Sequence, residues 1–496
     1  MITHLPARPP TASPPFSATD PAWDNSTPPP GEPRQLISLY APAPAGLAAA
    51  FVRAAGGRER FYWAEPAHGL VLAGAGVAAQ LISPPVLADA ERLPEQRFSD
   101  IEAQARRLFT GALLRPASGA DLAPGLAVLA RPRLCGGFAF QDDFVPDNTW
   151  SVFNPAEFLL PHYQYAQKGD AACLTINALL GPGEDLDEAL RGLAEALRLY
   201  LAATLTLAVA PAAAPIGPTT LRYPMTAPQW ADIIGRAVAA IRAGALDKVV
   251  LARVGEVWAE AAIDAAAPLA VLDADYGDSY RFLFEPCPGH AFLGATPELL
   301  AGKSGRAVAT MALAGSVARG RSPAEDDALA AQLLTSAKDR HEHQFVVDAI
   351  RAQLAEAADA LDVPATPVVL RLRNIQHLHT PIRGQLRRPD DSILRLVRRL
   401  HPTPAMGGVP RDRALAFLRD AEPFPRGWYA APIGWFDSAF DGVFAVGIRS
   451  AVTQHARVWL YAGAGIVAQS TAEREWAETA LKFRPMLGAL GVGEMG

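Results

Sequence analysis

Apolar positions recur from Gln35 to the C-terminus without a long break, and their spacing switches repeatedly between the period of strands and that of helices. Residues 60–76 (RFYWAEPAHGLVLAGAG) read as strands, whereas residues 185–210 predict an Ala/Leu-rich helix. The Pro/Ala-rich segment PAAAPIGPTTLRYP follows, which places a boundary near residue 215. Beyond it, Thr226 is positioned to cap a helix whose apolar positions Trp230, Ile233, Ile234, Ala237, Val238 and Ile241 keep the 3.6-residue period. Gly244 is expected to end that helix, and DKVVLAR then alternates as a strand. SAKDRHEHQFVVDAIRAQL predicts another helix. STAEREWAETALK opens a last one with an apparent capping box from Ser470 to Glu473, and Pro485 is expected to kink or end it. Strand and helix alternate without regular βαβ spacing, so an α+β fold is expected. Ten of the first 35 residues are proline, which predicts a disordered arm over residues 1–34. The remainder divides into an N-terminal α+β part (35–215) and a catalytic region (225–492).

Half of the 496 residues are hydrophobic and 19% are charged, which excludes a wholly disordered chain and allows a large core. A net charge of −6 gives no reason to expect nucleic-acid binding. Three scattered cysteines make neither a disulfide framework nor a zinc knuckle. The longest apolar run, residues 199–210, is too short to span a bilayer, and MITHLPARPP lacks the pattern of a secretory signal. A cytoplasmic protein without a membrane segment is therefore expected. Only five of the 45 basic residues are lysine (Lys168, Lys248, Lys303, Lys338, Lys482). A GC-rich genome explains the bias. Because a lysine can be tuned to act as a base where an arginine cannot, the few that remain mark places to look for chemistry.

Two glycine pairs, in AGAGVAA (73–79) and AGAGIVA (462–468), resemble half of a dinucleotide fingerprint but lack the helix and acidic residue that should follow. Close approach of glycine backbone to another ligand remains open. On the SAKDRHEH helix, Asp339 and Glu342 share a face, while His341 and His343 diverge and form no HExxH pair. On the last helix, Glu475, Glu478 and Lys482 also share a face. Each cluster read alone fits a solvated edge; together they offer the hard oxygen donors that suit Mg²⁺. Lys248 reads either as an edge charge or as a base, and Glu298 either as a surface glutamate or as an acid.

Ten strings taken in order resemble the chorismate-utilising enzymes: DKVVLAR, FLGATPELL, ALAGSVARG, SAKDRHEH, NIQHLHTPIRG, LHPTPAMGG, RGWYAAPIGW, VGIRSA, YAGAGIV and EREWAETALK. Within that family the chain is most similar to the isochorismate synthases over residues 230–490, and more loosely similar from about residue 35. The resemblance implies packed β-sheets flanked by helices around a deep cleft. It also implies Lys248 as general base and Glu298 as general acid. Glu342 and Glu478 match direct Mg²⁺ ligands, and Asp339 and Glu475 match carboxylates that hold the metal's waters. Arg449 and Tyr429 match groups gripping the pyruvyl carboxylate, with backbone around Gly463 and Gly465. Lys482, Gly315, His377 and Ala405 complete the substrate-binding set.

Lysine at position 248 favours water over ammonia as nucleophile, so no glutamine amidotransferase subunit is expected. Salicylate synthases tend to carry threonine at the position of Ala405, which favours a reaction that stops at isochorismate. A salicylate synthase and a non-catalytic chorismate-binding relative are the alternatives. A monomer is the default expectation.

Overall fold

The computed structural model describes residues 34–66, 69–85, 95–118, 124–208 and 216–492. The expected Pro-rich arm therefore falls almost wholly outside the described residues, as does most of the linker before residue 216. Among the described residues the fold is a branched, hydrogen-bonded set of strands covered by helices, in accord with the α+β expectation. The strand Ala156–Lys168 is the branch point. It pairs along one edge with Val71–Ser83, and along the other with Arg133–Phe138 and then Ala171–Leu180.

One arm runs from Val71–Ser83 through Arg60–Ala64, Tyr280–Cys287, His290–Thr296, Ser450–Gln454 and Arg457–Ile466 to Lys248–Ala259. The other runs from Arg133–Phe138 through Pro432–Asp437, Gly442–Val446, Leu299–Ser304 and Ala307–Ala318 to Ile375–Leu386. Every ladder among the described residues is antiparallel except that between Gln35–Pro42 and Leu113–Pro116. Strands from residues 35–215 thus pair directly with strands from residues 225–492, at Arg60–Ala64 with Tyr280–Cys287 and at Arg133–Phe138 with Pro432–Asp437.

Local signals account for several elements. Thr226 caps the helix Ala227–Arg242 through a reciprocal bond with Gln229, and the apolar stripe from Trp230 to Val238 is buried. Gly244 follows with φ +73°, the left-handed conformation a glycine adopts without strain. The Ala/Leu helix spans Leu186–Ala208. Other expectations are corrected. Lys248–Ala259 does not alternate: Lys248 through Gly255 are all buried, because both of its faces are covered. The last helix, Ala472–Ala489, has Thr471 rather than Ser470 at its cap, and no side-chain capping bond. Ser470 instead accepts from the Val467 amide with its hydroxyl, which closes the preceding turn. Pro485 neither ends nor interrupts that helix. It removes one backbone bond, while burial of Phe483, Met486, Leu487 and Ala489 holds the final turns in place. No described helix is long and apolar enough to cross a membrane.

Candidate active site

A cavity lies where the two arms meet, between Lys248–Ala259 and Arg457–Ile466 on one side and Ala307–Ala318 and Ile375–Leu386 on the other. The helices Ala337–Ala355 and Ala472–Ala489 close it. Twelve of the fourteen expected site residues line this cavity: Lys248, Glu298, Gly315, Glu342, His377, Ala405, Tyr429, Arg449, Gly463, Gly465, Glu478 and Lys482. Asp339 and Glu475 line an adjoining, wider cavity that shares Gly315, Ser316, Glu342, Gly465 and Glu478 with the first. Every lining residue of the inner cavity falls between 248 and 482.

The lysines are engaged with the carboxylates. Lys248, 1% exposed, donates to Glu342 Oε1 at 2.8 Å. Lys482 donates to Glu478 Oε1 at 2.7 Å and to the Gly463 carbonyl at 2.8 Å. Burial pushes the Glu342 carboxyl up, but the charge and hydrogen bond of Lys248 reverse this and hold it below the usual range. Glu298 has no such partner. Burial pushes its carboxyl up to about 8, against the pull of Lys248, Lys482 and Arg449, so it is held mainly protonated at neutral pH. The bland readings of Lys248 as an edge charge and Glu298 as a surface glutamate are thereby displaced, since both are buried and face the cavity.

Arg449 and Tyr429 are placed by strained backbone. Arg449 adopts φ +51° and Ala430, the neighbour of Tyr429, φ +60°. Non-glycine residues pay about 1–2 kcal/mol for this conformation, and such strain concentrates at functional sites. Reciprocal amide bonds between the two segments, Ala430 to Gly447 and Gly447 to Ala431, hold it. Arg449 donates to His377 Nε2 at 3.3 Å, and His377 Nδ1 donates to the Gly315 carbonyl at 3.3 Å. Burial, then the charges of Arg449 and Lys482, push the imidazole well below its ordinary range, so it is neutral and accepts at Nε2. Gly315 has φ +75° and sits at a β-bulge between Ala307–Ala318 and Ile375–Leu386, where the ladder shifts by a residue beside the cavity.

The glycines near residue 464 bring backbone close to the site rather than to a dinucleotide. A Cβ on Gly465 would lie 2.9 Å from Glu342 Oε1 and 3.0 Å from Lys248 Cε, and one on Gly463 would lie 3.0 Å from the Tyr429 hydroxyl. Three residues that sequence reasoning missed also belong here, together with Lys338. Tyr461 stacks on Tyr429 with ring centroids 5.1 Å apart, and Ser316 reaches Glu478 at 3.5 Å. Met406 forms part of the inner wall and Lys338 faces the outer cavity. Lys338 is one of the five lysines that the sequence marks as places to look for chemistry. His341 and His343 diverge as expected, with His343 buried against Thr380.

The acidic residues fit a hard cation by chemistry. Glu342 and Glu478 reach the cavity from facing helices, with Asp339 and Glu475 behind them. Burial and the neighbouring charge of Glu478 push the Glu475 carboxyl up to about 7, a repulsion that a divalent cation would relieve. Among the described residues, no three acidic, histidine or cysteine side chains are gathered at metal-binding distances, and Lys248 and Lys482 pair with the two innermost glutamates.

Comparison with known proteins shows the family. A family profile described as chorismate binding enzyme matches residues 31–491, and the chain belongs to that family. The salicylate biosynthesis isochorismate synthase of Pseudomonas aeruginosa is 39% identical over 402 residues, covering 80% of this chain and 79% of that protein. The isochorismate synthase MenF of Bacillus subtilis is 32% identical over 436 residues, covering 87% and 88% respectively. The solved structure of the menaquinone-specific isochorismate synthase MenF from Escherichia coli superposes with a TM-score of 0.74 at 27% identity, over 92% of this chain and 95% of that one.

Proposed function

We propose that this enzyme is an isochorismate synthase, an isomerase that interconverts chorismate and isochorismate with Mg²⁺. The observation that carries the reading is a single buried cavity into which Lys248, a mainly protonated Glu298, Arg449 and two cation-competent glutamates all project. Relatives named isochorismate synthase at 39% and 32% identity over most of the chain support it.

Chorismate is a dianion. Arg449 and Tyr429 would take the pyruvyl carboxylate, with Gly463 and Gly465 letting backbone approach the ring. Glu342 and Glu478 would hold the Mg²⁺, backed by Asp339 and Glu475, and the bound ion would neutralise the other carboxylate. Once its ammonium has left Glu342 and lost a proton to solvent, the Lys248 amine removes a proton from water as its oxygen attacks carbon 2. The ring double bonds shift, and Glu298 protonates the hydroxyl that leaves carbon 4. One water enters and one leaves, so substrate and product are isomers and the exchange is reversible. Neutral His377 orients Arg449 by accepting its hydrogen bond, without adding a third positive charge beside Arg449 and Lys482.

Incubation of purified protein with chorismate and Mg²⁺, followed by chromatography, tests the reading. A plateau mixture of chorismate and isochorismate that disappears with EDTA is expected. Pyruvate with salicylate would move the enzyme to the salicylate-forming branch, and no turnover would leave a chorismate-binding protein.

A further inference from the structure

The strand that carries Lys248 is paired along one edge with Arg457–Ile466 through its whole length. Its other edge is covered only at the ends. Gly408–Val409 pairs with Lys248 and Val249, and Thr219–Arg222 pairs with Glu256 through Ala259. The gap between them, residues 250–255, begins at Val250, which lines the cavity two residues beyond Lys248.

A side-chain ion pair fills part of that gap. Beside the Val250 amide, which donates to the Gly407 carbonyl at 3.0 Å, the Val250 carbonyl accepts from Arg426 Nη2 at 2.5 Å. The Ala252 amide donates to Glu422 Oε1 at 2.8 Å. Glu422 and Arg426 are joined in a two-point pair, Nε to Oε2 at 2.7 Å and Nη2 to Oε1 at 2.6 Å. They are 4% and 1% exposed. Arg426 Nη1 also donates to the Met406 carbonyl at 2.9 Å, and the Arg426 carbonyl accepts from the Tyr429 amide at 2.9 Å.

A buried ion pair is weak grounds for stability, because desolvation offsets most of the attraction. The partners of this one point to a different role. Its side-chain hydrogen bonds end on backbone atoms of Val250, Ala252 and Met406, and two of these residues, Val250 and Met406, line the cavity from two separate segments. A planar guanidinium with five donors in fixed directions can set those segments relative to one another, which a flexible ammonium cannot. We infer that the Glu422–Arg426 pair acts as a substitute strand that positions the Lys248 strand and the Ala405–Met406 loop for catalysis, an inference that rests on the proposed reaction. Neither residue lines the inner cavity, so both are positioning residues.

Two readouts on the full-length chain test this: amide hydrogen exchange by peptide, and kcat measured well below the melting temperature. In Glu422→Ala, exchange over residues 249–254 should quicken about tenfold or more, while residues 457–461 stay protected and kcat falls at least about tenfold. Glu422→Gln retains an acceptor for Ala252 and should recover most of the protection and part of kcat. Arg426→Lys keeps a cation opposite Glu422 but cannot reach Val250, Met406 and Glu422 together; it should behave as Glu422→Ala does, and it decides the matter if Glu422→Ala does not fold. A lowered melting temperature with unchanged kcat, or unchanged exchange over 249–254, would overturn the inference. If the parent protein makes no isochorismate, the proposed reaction fails instead, and the exchange readout still reports on the strand edge.

Discussion

Lys248 Nζ lies 2.8 Å from Glu342 Oε1, so the proposed base and a proposed metal ligand hold each other in one buried contact. The same side chains therefore serve two competing arrangements, an ion pair and a catalytic centre in which each has a separate partner. This coupling governs the behaviour expected of variants.

Lys248→Ala should retain cooperative unfolding and lose turnover by about 10²- to 10⁴-fold, the usual contribution of a positioned general base. Without the ammonium, Glu342 is no longer engaged by Lys248. Calorimetric titration should show Mg²⁺ binding at least as tightly as in the parent. Near-normal kcat in this variant would remove Lys248 from the mechanism.

In the proposed mechanism the protonated form of Glu298 supplies the acid, and burial has moved its carboxyl up to about 8. Turnover should therefore fall as pH rises through that value. The same shift has a sign for stability. A raised carboxyl contributes fully below the ordinary glutamate range, and the contribution is lost as pH rises through about 8. Glu298→Gln should abolish turnover and flatten the decline in melting temperature between about pH 4.5 and 8.

Glu475 sits at about 7 through burial and the charge of Glu478, so at mildly acidic pH it carries a proton that cation binding must displace. Apparent Mg²⁺ affinity should tighten from about pH 6 to 8, with proton release detectable as a buffer-dependent heat. Glu475→Gln should lose most of that pH dependence.

Gly465→Ala would place a methyl group 2.9 Å from Glu342 Oε1 and 3.0 Å from Lys248 Cε. These are movable side-chain atoms, so the variant should fold with a small change in melting temperature. The displaced pair should lower kcat/KM by about ten- to a hundredfold, since misplacements near 1 Å carry costs of that order. Gly315→Ala should be worse in stability, because φ +75° is strained for alanine and the added carbon would meet Asp339 Cβ at 3.2 Å.

Much of the local structure was legible because its causes are local. Thr226, Gln229 and the apolar stripe behind them lie within one helix, and the cap forms as read. Ser470 was misread because a hydroxyl next to a helix start has two amides in reach, and it serves Val467. The strand 248–255 was read as alternating because a short apolar run does not reveal how many of its faces are covered. Pro485 was read as a break because its lost hydrogen bond is visible in sequence, while the packing of Phe483 and Met486 is not.

By itself the sequence determined which chemical groups were available. It supplied two isolated lysines, two pairs of carboxylates at helical spacing, and the glycines that admit close backbone approach. Only the tertiary structure decided that Lys248 and Glu342, 94 residues apart, share a hydrogen bond, that Tyr461 backs Tyr429, and that Gly315 forms a bulge beside His377. It also decided that Glu298 keeps its proton while Glu342 does not. The physical reason is that a carboxyl's ionisation depends on how much water it loses and which charges face it, and both are set by segments distant in the chain.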